Sequence, residues 1–318
     1  MIPLDAIREA ASRIAGRVHR TALLSSAELG GRAGVRLFLK AESFQKTGSF
    51  KARGALNKVL SLSEAERARG LVTVSAGNHA AAVAWAAREA GCAAVVVMPT
   101  DAPRSKVEAV RGYGAEIVFH PDRPTLFDKL HAVREGRGLT FVHPFDDAVV
   151  LAGAGTAGLE IAEDLPDVGL VVVPVGGGGL LGGVASAIRQ ARPSARIVAV
   201  ELEAGPGLAP ALAAGKPVPA PRPATVADGM TPPFVGALPL AIAREAVDAI
   251  AAVSEAEILE GMRLLATRAK LYVEGSGAAA LAALLAGKVN APPGTTAAVV
   301  VSGGNVDPDR FAAAVAGG

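Results

Sequence analysis

The sequence has a single cysteine, few aromatic residues and no run of like charges. Cys92 is alone among 318 residues, which excludes an internal disulfide. Aromatic residues make up 4% of the chain and the formal net charge is +2. No basic patch is interleaved with aromatic side chains, so we expect no nucleic acid partner. The five histidines are scattered, without a CxxC or HExxH motif, which argues against a zinc enzyme.

A leader sequence and a membrane span are equally unexpected. Asp5, Arg8 and Glu9 interrupt the first residues, and no apolar core of a signal peptide follows them. The uncharged stretch 168–188 is long enough to cross a bilayer, but Pro174 and a run of glycines break it. We therefore expect a cytoplasmic protein without a membrane partner.

Short apolar segments alternate with helical patterns along most of the chain. Hydrophobic residues account for 51% of the sequence and charged residues for 19%, as in a globular protein with a large core. The alternation predicts the α/β class, with a mostly parallel sheet and helices on both faces. Strands are predicted at 35–41, 70–76, 93–99, 115–120, 139–144, 169–175, 195–201 and 296–302. Helices are predicted after Lys51, from Leu180, and at 78–91, 102–114, 124–136, 155–165, 238–247, 255–270 and 276–287. The Pro- and Gly-rich segment 203–236 is predicted to be a long irregular excursion.

Three glycine-marked turns follow predicted strands, at the edge of the sheet where α/β proteins bind ligands. SAGNHA (75–80) opens a helix whose free backbone N–H groups suit a carboxylate, although Ser75 or Asn78 could simply cap that helix. GGGGLLGG (176–183) places glycines between a strand and a helix, as in a loop that holds phosphate with backbone N–H groups. SGGN (302–305) is either a ligand-facing loop or a surface turn.

One alternative is a dinucleotide site. Gly177, Gly179 and Gly182 satisfy GxGxxG, and Glu201 follows at the end of the next predicted strand. This is the pattern of an NAD-dependent dehydrogenase. The hypothesis leaves SAGNHA, SGGN and Lys51 of TGSFKARGA without a role. A lysine in such a place is a surface charge, a phosphate ligand or an amine that forms a Schiff base.

Taken together, the motifs resemble those of one family. ESFQKTGSFKARGA, SAGNHA, HPFDDAVVLAGAGTAGLEI, VVPVGGGGLLGG, VADG, VEGSGAAALAAL and VSGGN look like the serine/threonine dehydratase and serine racemase branch of the fold-type II pyridoxal-phosphate enzymes. The resemblance extends from about Thr21 to Asp307. It implies a fold similar to the tryptophan synthase β chain, with two open, mostly parallel sheets and helices on both faces. It also implies a large domain (1–66 and 145–318), a small inserted domain (67–144) and a homodimer.

The resemblance implies a role for each motif in holding the cofactor, pyridoxal phosphate. Lys51 resembles the lysine that binds it covalently, and Phe50 would pack against its ring. Asn78 would contact the phenolic oxygen and Ser302 the pyridine nitrogen. Glu274 is carried by the family near the ring, although an acid at a helix N-terminus explains it as well. The phosphate would be held by Gly176, Gly177, Gly178, Gly179 and the N–H group of Leu180. The amino acid substrate would be held by Ser75, Ala76, Gly77, Asn78, His79 and Asp228.

The implied reaction is a β-elimination. Lys51 would remove the Cα proton of L-threonine or L-serine as general base, the β-hydroxyl would leave, and hydrolysis would give a 2-oxo acid and ammonia. A racemase needs a second acid/base on the opposite face of Cα, and the matching position is Ala76, which has no hydroxyl. A dehydratase is therefore favoured. The segment 228–239 leaves other hydroxy amino acids open, such as phenylserine or hydroxyaspartate. A non-catalytic binding protein is disfavoured, because Lys51, Asn78 and Ser302 are all present.

Some relatives bind a divalent cation, and the resemblance places that site at Glu201 and the backbone carbonyl of Gly205. Relatives supply a further acid at the position that Gly207 occupies here. A lone carboxylate is a weak site for Mg²⁺ or Ca²⁺. Glu203 is the nearby acid that could replace the missing ligand, so a bound metal is left as an open alternative.

Overall fold

The computed structural model describes residues 1–316, in which strands and helices alternate largely as the sequence predicts. The strands are β1 (Leu23–Ser25), β2 (Arg36–Ala41), β3 (Leu71–Val74), β4 (Ala94–Pro99), β5 (Glu116–His120), β6 (Thr140–Phe141), β7 (Leu170–Pro174), β8 (Arg196–Leu202), β9 (Ala249–Val253) and β10 (Thr296–Val301). The helices are α1 (Leu4–Ile14), α2 (Ala27–Ala33), α3 (Lys51–Ser61), α4 (Glu64–Ala68), α5 (Asn78–Glu89), α6 (Arg104–Gly112), α7 (Leu126–Arg137), α8 (Ala148–Asp164), α9 (Gly179–Ala191), α10 (Leu208–Ala214), α11 (Ala237–Ala246), α12 (Glu255–Leu264), α13 (Gly275–Leu285) and α14 (Pro308–Ala316). Short 3-10 turns lie at Glu42–Phe44, Lys46–Gly48 and Asp228–Met230, and a π-helix (Leu265–Ala269) continues α12.

The larger sheet has six strands in the order β1-β2-β10-β7-β8-β9. Its neighbouring strands are parallel except β1, which pairs antiparallel with β2. Alternate residues of β7 belong to two separate cores. Val171 and Val173 pack with residues of α8 and α9, whereas Leu170 and Val172 pack with residues of α12 and α13. Helices therefore cover both faces of the sheet, which confirms the predicted fold class.

The smaller sheet has four parallel strands in the order β5-β4-β3-β6. Val96 and Met98 of β4 belong to a core with α3 and α5, whereas Val95 and Val97 pack with α7. These four strands all lie inside 67–144, the segment that the sequence analysis assigns to a small inserted domain. The domain boundaries themselves stay a prediction.

A buried ion-pair network fixes helix α3 to the larger sheet. Arg53, two residues after Lys51, is fully buried and pairs with Glu42 at 2.8 Å and with Glu160 at 2.6 Å. Lys40 of β2 pairs with the same Glu160. Removing one partner of such a network leaves a buried charge unpaired, which typically costs about 3–5 kcal/mol. The network therefore holds the helix that carries Lys51 in one position.

The start of α8 and the length of β6 differ from the prediction. Asp147 accepts backbone N–H groups of Val149 and Val150, so α8 begins at Ala148 instead of near 155. β6 is an edge strand of two residues. It stops before Pro144, which cannot donate to a sheet ladder.

The sequence analysis also misses several short elements: β1, β9, α2, α4, α10 and α14. The alanines of β9 carry a weak strand signal, and the strand is defined by its parallel pairing with β8. Helix α10 lies inside the segment 203–236, which is otherwise irregular as predicted.

The N-terminal segment forms a helix, and the uncharged stretch is broken as the sequence indicates. Helix α1 is amphipathic and buries Ile7, Ala10 and Ile14. The stretch 168–188 forms β7, the glycine turn and the first part of α9. Within residues 1–316, no helix is both long and apolar enough to cross a membrane.

Candidate active site

A cavity of about 820 Å³ is lined by residues that follow strands of both sheets. It lies at the carboxyl ends of β3, β7 and β10, where the three glycine-marked turns stand. This is the edge at which parallel sheets bind ligands. The cavity is lined by all the residues that the sequence analysis assigns to cofactor or substrate: Phe50, Lys51, Ser75, Ala76, Gly77, Asn78, His79, Gly176, Gly177, Gly178, Gly179, Leu180, Asp228, Glu274 and Ser302. The candidate metal ligands Glu201 and Gly205 are not among its lining residues.

Lys51 is the first residue of α3, and its side chain lines the cavity. Its Nζ donates a hydrogen bond to the carbonyl oxygen of Pro144 at 2.7 Å and lies 5.1 Å from the centre of the Phe50 ring. Removal from water lowers the pKa of Lys51 to about 8. A larger share of this amine is therefore neutral and nucleophilic near neutral pH than of an exposed lysine.

The loop SAGNHA leads into α5, which begins at Asn78. The N-cap residue is Gly77 and no side chain caps the helix, so Ser75 and Asn78 do not have the capping role considered from the sequence. Ser75 Oγ instead accepts the N–H group of Gly77 at 3.1 Å. His79 is buried with Nε2 at 3.2 Å from the carbonyl oxygen of Val142, and burial lowers the pKa of His79 well below its usual value. The loop thus offers the free N–H groups of a helix start beside a neutral imidazole.

The glycines of GGGGLLGG are required by the packing around them. Gly178 has a φ of +92°, and a Cβ atom on Gly177 would lie 2.3 Å from the ring of Phe145. A Cβ atom on Gly176 would lie 2.9 Å from a carbonyl oxygen of the neighbouring loop. Helix α9 begins at Gly179 and runs for 13 residues. Its unpaired N–H groups and dipole therefore begin at the cavity wall, which suits a phosphate group.

The alternatives that depend on Glu201 do not fit its surroundings. Glu201 Oε2 accepts the N–H groups of Gly207 at 2.9 Å and Leu208 at 2.8 Å, and so caps α10. A carboxylate held in this way is not presented to a ribose hydroxyl. Gly205 packs against Pro223, and in the described part of the chain no three His, Cys, Asp or Glu side chains are grouped to hold a metal ion. The donor set therefore fits neither a dinucleotide nor Mg²⁺ or Ca²⁺.

Glu274 and Ser302 line the cavity together. Ser302 Oγ donates to the carbonyl oxygen of Ser276 at 3.2 Å. Glu274 Oε1 accepts an N–H group of Asn78 at 2.6 Å, and burial raises the pKa of Glu274 to about 7. The Glu274 side chain makes no capping hydrogen bond to α13. Its contacts therefore favour a place at the ligand over a role at the helix N-terminus.

The structure adds cavity residues to which the sequence analysis gives no role. Lys106 of α6 pairs with Asp228 at 2.7 Å, which joins the smaller-sheet segment to the loop after α10. Phe127, Phe145 and Phe234 form an aromatic wall, with ring centres of Phe127 and Phe145 at 6.2 Å and 5.5 Å from that of Phe234. These residues come from distant parts of the chain. Phe145 stands in the motif HPFDDAVVLAGAGTAGLEI, whereas Lys106, Phe127 and Phe234 stand outside the quoted motifs. For Phe145 and Phe234, the sequence signal is an aromatic residue within the segments HPFDD and PPFVG.

Buried polar atoms without partners fit a bound pyridoxal phosphate. Ser276 Oγ and Glu274 Oε2 have no hydrogen-bond partner within residues 1–316, and both residues line the cavity. Buried polar atoms are nearly always hydrogen-bonded in folded proteins. The cavity thus combines an amine that is able to form a Schiff base, a helix start that suits a phosphate and polar groups with free hydrogen-bonding capacity.

Fold and cavity together define a class of protein. The family model described as pyridoxal-phosphate dependent enzyme matches residues 14–303, and the chain belongs to this family. Its architecture is that of the fold-type II enzymes, as the sequence resemblance implies.

Relatives narrow the class to one branch. The L-threonine ammonia-lyase of Thermotoga maritima is 44% identical over 311 residues, which cover 96% of this chain and 76% of that protein. The catabolic L-threonine dehydratase TdcB of Escherichia coli K12 is 43% identical, over 97% of this chain and 94% of that protein. Maize serine racemase superposes with a TM-score of 0.93 at 39% identity, covering 97% and 95% of the two chains. The threonine deaminase of T.th. superposes with a TM-score of 0.90 at 45% identity, covering 96% and 98%.

Proposed function

We propose that this protein is a pyridoxal-phosphate-dependent lyase that converts a 3-hydroxy amino acid, L-threonine or L-serine, into a 2-oxo acid and ammonia. The observation that carries the proposal is the place of Lys51. Its amine, with a pKa lowered to about 8, shares one cavity with a helix start that suits a phosphate and a loop that suits an anion. Relatives named threonine ammonia-lyase and threonine dehydratase, at 44% and 43% identity, support the choice of reaction.

Residues from several elements that line the cavity would hold the cofactor. The start of α9 would bind the phosphate, Phe50 would lie beside the ring, and Asn78 would donate to the phenolic oxygen. Ser302 would contact the pyridine nitrogen, and since serine is neutral it does not enforce a positive charge there as a carboxylate would. When bound, pyridoxal phosphate withdraws electrons from the Cα–H bond of the substrate.

Lys51 moves the proton of the elimination. Its neutral Nζ accepts the Cα proton, and the carbonyl oxygen of Pro144 at 2.7 Å orients the amine. The β-hydroxyl leaves as water once it has gained a proton, which gives an enamine. The enamine becomes an imine when a proton passes from its nitrogen to Cβ. Water then adds to the imine carbon and ammonia leaves. The water lost in the elimination is regained in the hydrolysis, so one amino acid gives one 2-oxo acid and one ammonia.

The loop SAGNHA would hold the substrate carboxylate. The N–H groups at the start of α5 have no intrahelical acceptor, and the helix dipole favours an anion there. The neutral ring of His79 adds no charge of its own. We further propose that the segment 67–144 forms the small domain and that substrate binds between it and the rest of the chain, where closure excludes water.

Serine racemisation is a second candidate, because maize serine racemase superposes with a TM-score of 0.93. A two-base racemase needs an acid/base group on each face of Cα. The family resemblance expects the second group at position 76, and this residue is Ala76, which carries no proton to exchange. The elimination is therefore the reaction that these residues support best. The aromatic wall of Phe127, Phe145 and Phe234 also suits bulkier substrates such as phenylserine.

An assay with several substrates tests the proposal. The protein loaded with pyridoxal phosphate is incubated with L-threonine, L-serine or DL-phenylserine, and oxo acid, ammonia and D-serine are measured. We expect oxo acid and ammonia in equal amounts, and a fall of about a thousandfold or more in Lys51→Ala. D-serine formation without oxo acid would contradict the lyase assignment and favour the racemase.

We also propose a cytoplasmic homodimer, supported by the family resemblance. Light scattering of the purified holoprotein measures its mass in solution. A mass twice that of the 31.9 kDa chain would agree with the proposal, and a monomer at micromolar concentration would contradict it.

A further inference from the structure

A chain of hydrogen bonds links the turn before Lys51, the SGGN loop and the SAGNHA loop. Asn305, the last residue of SGGN, donates from Nδ2 to the carbonyl oxygen of Thr47 at 2.7 Å and to Oδ1 of Asn78 at 2.8 Å. Asn78 in turn donates from Nδ2 to Oε1 of Glu274 at 2.6 Å. The chain begins just before Lys51 and ends at the cavity.

The carbonyl oxygen of Thr47 fixes the orientation of both amides in this chain. A backbone carbonyl oxygen can only accept, so Asn305 has to turn its NH₂ group toward Thr47. That NH₂ group has two hydrogens, and the second is directed at Asn78. Asn78 therefore has to present its oxygen to Asn305 and its own NH₂ group to the cavity side. An amide without such neighbours could adopt either orientation.

The backbone around Asn305 is shaped to hold its amide. Gly48 has a φ of +73°, and a Cβ atom there would lie 2.3 Å from Oδ1 of Asn305. Thr47 adopts a φ of +59°, a left-handed conformation that is uncommon for threonine. Gly304 donates its N–H group to the carbonyl oxygen of Gly48 at 2.9 Å. A turn with these features persists where its surroundings determine it, and here it aims the Thr47 carbonyl at Asn305.

We propose that Asn305 is a positioning residue that sets the orientation of the Asn78 amide, so that an N–H group and not the carbonyl oxygen of Asn78 faces the phenolic oxygen of pyridoxal phosphate. The proposal rests on the proposed place of Asn78 at that oxygen. One hydrogen of Asn78 Nδ2 goes to Glu274, which leaves the second for the cofactor. If the Asn78 amide turned over, its carbonyl oxygen would face the phenolic oxygen of the cofactor, and two acceptors would oppose each other. The cofactor would then bind less tightly, and its own protonation equilibrium would change.

The test replaces the donor by an acceptor of the same shape. Asn305→Asp places an oxygen against the Thr47 carbonyl and draws the NH₂ group of Asn78 toward residue 305. Bound pyridoxal phosphate reports the change through its visible absorption. We expect the pH midpoint of that absorption to move by about one unit and the dissociation constant for pyridoxal phosphate to rise about tenfold, the equivalent of one hydrogen bond. Asn290→Asp, the same change at an exposed asparagine, is the matched control and should leave both values unchanged.

A double variant separates positioning from general stability. In an Asn78→Ala background the orientation of residue 78 no longer exists, so Asn305→Asp should add no further shift in the pH midpoint. An equal shift in both backgrounds, or a wild-type midpoint and affinity in Asn305→Asp, would overturn the proposal. If Asn305→Asp does not fold, Asn305→Ala is measured in the same two backgrounds with the same criteria. A wild type that binds pyridoxal phosphate but releases no oxo acid would refute the proposed reaction alone, whereas one that binds none would refute both.

Discussion

The amine of Lys51 lies 2.7 Å from the carbonyl oxygen of Pro144, in the segment that joins β6 to α8. A carbonyl oxygen orients an amine by accepting its hydrogen, but it carries no full charge and so stabilises the ammonium form less than a carboxylate does. The first turn of α3 and the segment after β6 thus fix the amine of Lys51 while leaving it able to lose a proton. The neutral form is the one that reacts with an aldehyde.

The rate at which the apoprotein takes up pyridoxal phosphate should depend on pH through Lys51. Burial lowers the pKa of this amine to about 8, so the neutral fraction rises about tenfold per pH unit below that value and levels off above it. Stopped-flow absorbance after mixing with pyridoxal phosphate measures the rate between about pH 6 and 10.5. A rate that still climbs tenfold per unit above about pH 9 would show an ordinary lysine and contradict this environment.

Glu274→Gln should flatten the pH dependence of stability. The pKa of Glu274 is raised from 4.5 to about 7 in the folded protein. Between those values the folded state binds more protons than the unfolded state, so the stability contributed by protonated Glu274 is fully present below about pH 4.5 and lost as the pH rises through about 7. From about pH 5 to 8, the free energy of unfolding of the wild-type apoprotein should fall by up to about 3 kcal/mol more than that of the variant. Urea unfolding of both proteins at the two pH values measures this difference. An equal fall in the unfolding free energy of both proteins would show that burial does not raise the pKa of Glu274.

Ala76→Ser should introduce racemisation. The substitution adds a hydroxyl at position 76, where the family resemblance expects the second acid/base opposite Lys51, and with it a proton that can be exchanged. We expect D-serine to form from L-serine while oxo-acid release falls less than about tenfold. Chiral chromatography measures both products. Ala76→Gly, which changes the same position without adding a hydroxyl, should form no D-serine; equal D-serine from both variants would show that the hydroxyl is not the cause.

The activity should not require a divalent cation. Glu201 caps α10 with its carboxylate, and loss of an N-cap costs about 1–2 kcal/mol. Glu201→Ala should therefore lower the unfolding free energy by about that amount, while Glu203→Ala, at an exposed position, should not. Dialysis against EDTA should leave oxo-acid release unchanged. If EDTA abolished the activity and Mg²⁺ or Ca²⁺ restored it, the proposal that Glu201 only caps α10 would be contradicted.

The parts of the site that the sequence could predict are those held in short contiguous motifs. Lys51, the SAGNHA loop and the glycines before α9 each follow a strand or open a helix, so local patterns place them at one edge of the sheet. The glycine requirement at Gly177 could not be read in detail, because it depends on the Phe145 ring, which lies far away in the sequence.

The features that escaped prediction depend on tertiary contacts. Asn305 stands in the SGGN motif, yet its role needs the carbonyl of Thr47 and the amide of Asn78 within reach. The role of Glu201 depended on where α10 begins, inside a segment rich in Pro and Gly. Strand β9 is defined by its partner β8 more than by its alanines.

The most direct test is to map the covalent attachment site of the cofactor. The holoprotein is reduced with borohydride, digested and sequenced by mass spectrometry, with Lys46→Ala as the control at an exposed lysine nearby. We expect the pyridoxyl group on Lys51 in both proteins and none bound in Lys51→Ala. A protein that carries the group on another lysine, or carries none after incubation with pyridoxal phosphate, would contradict the account.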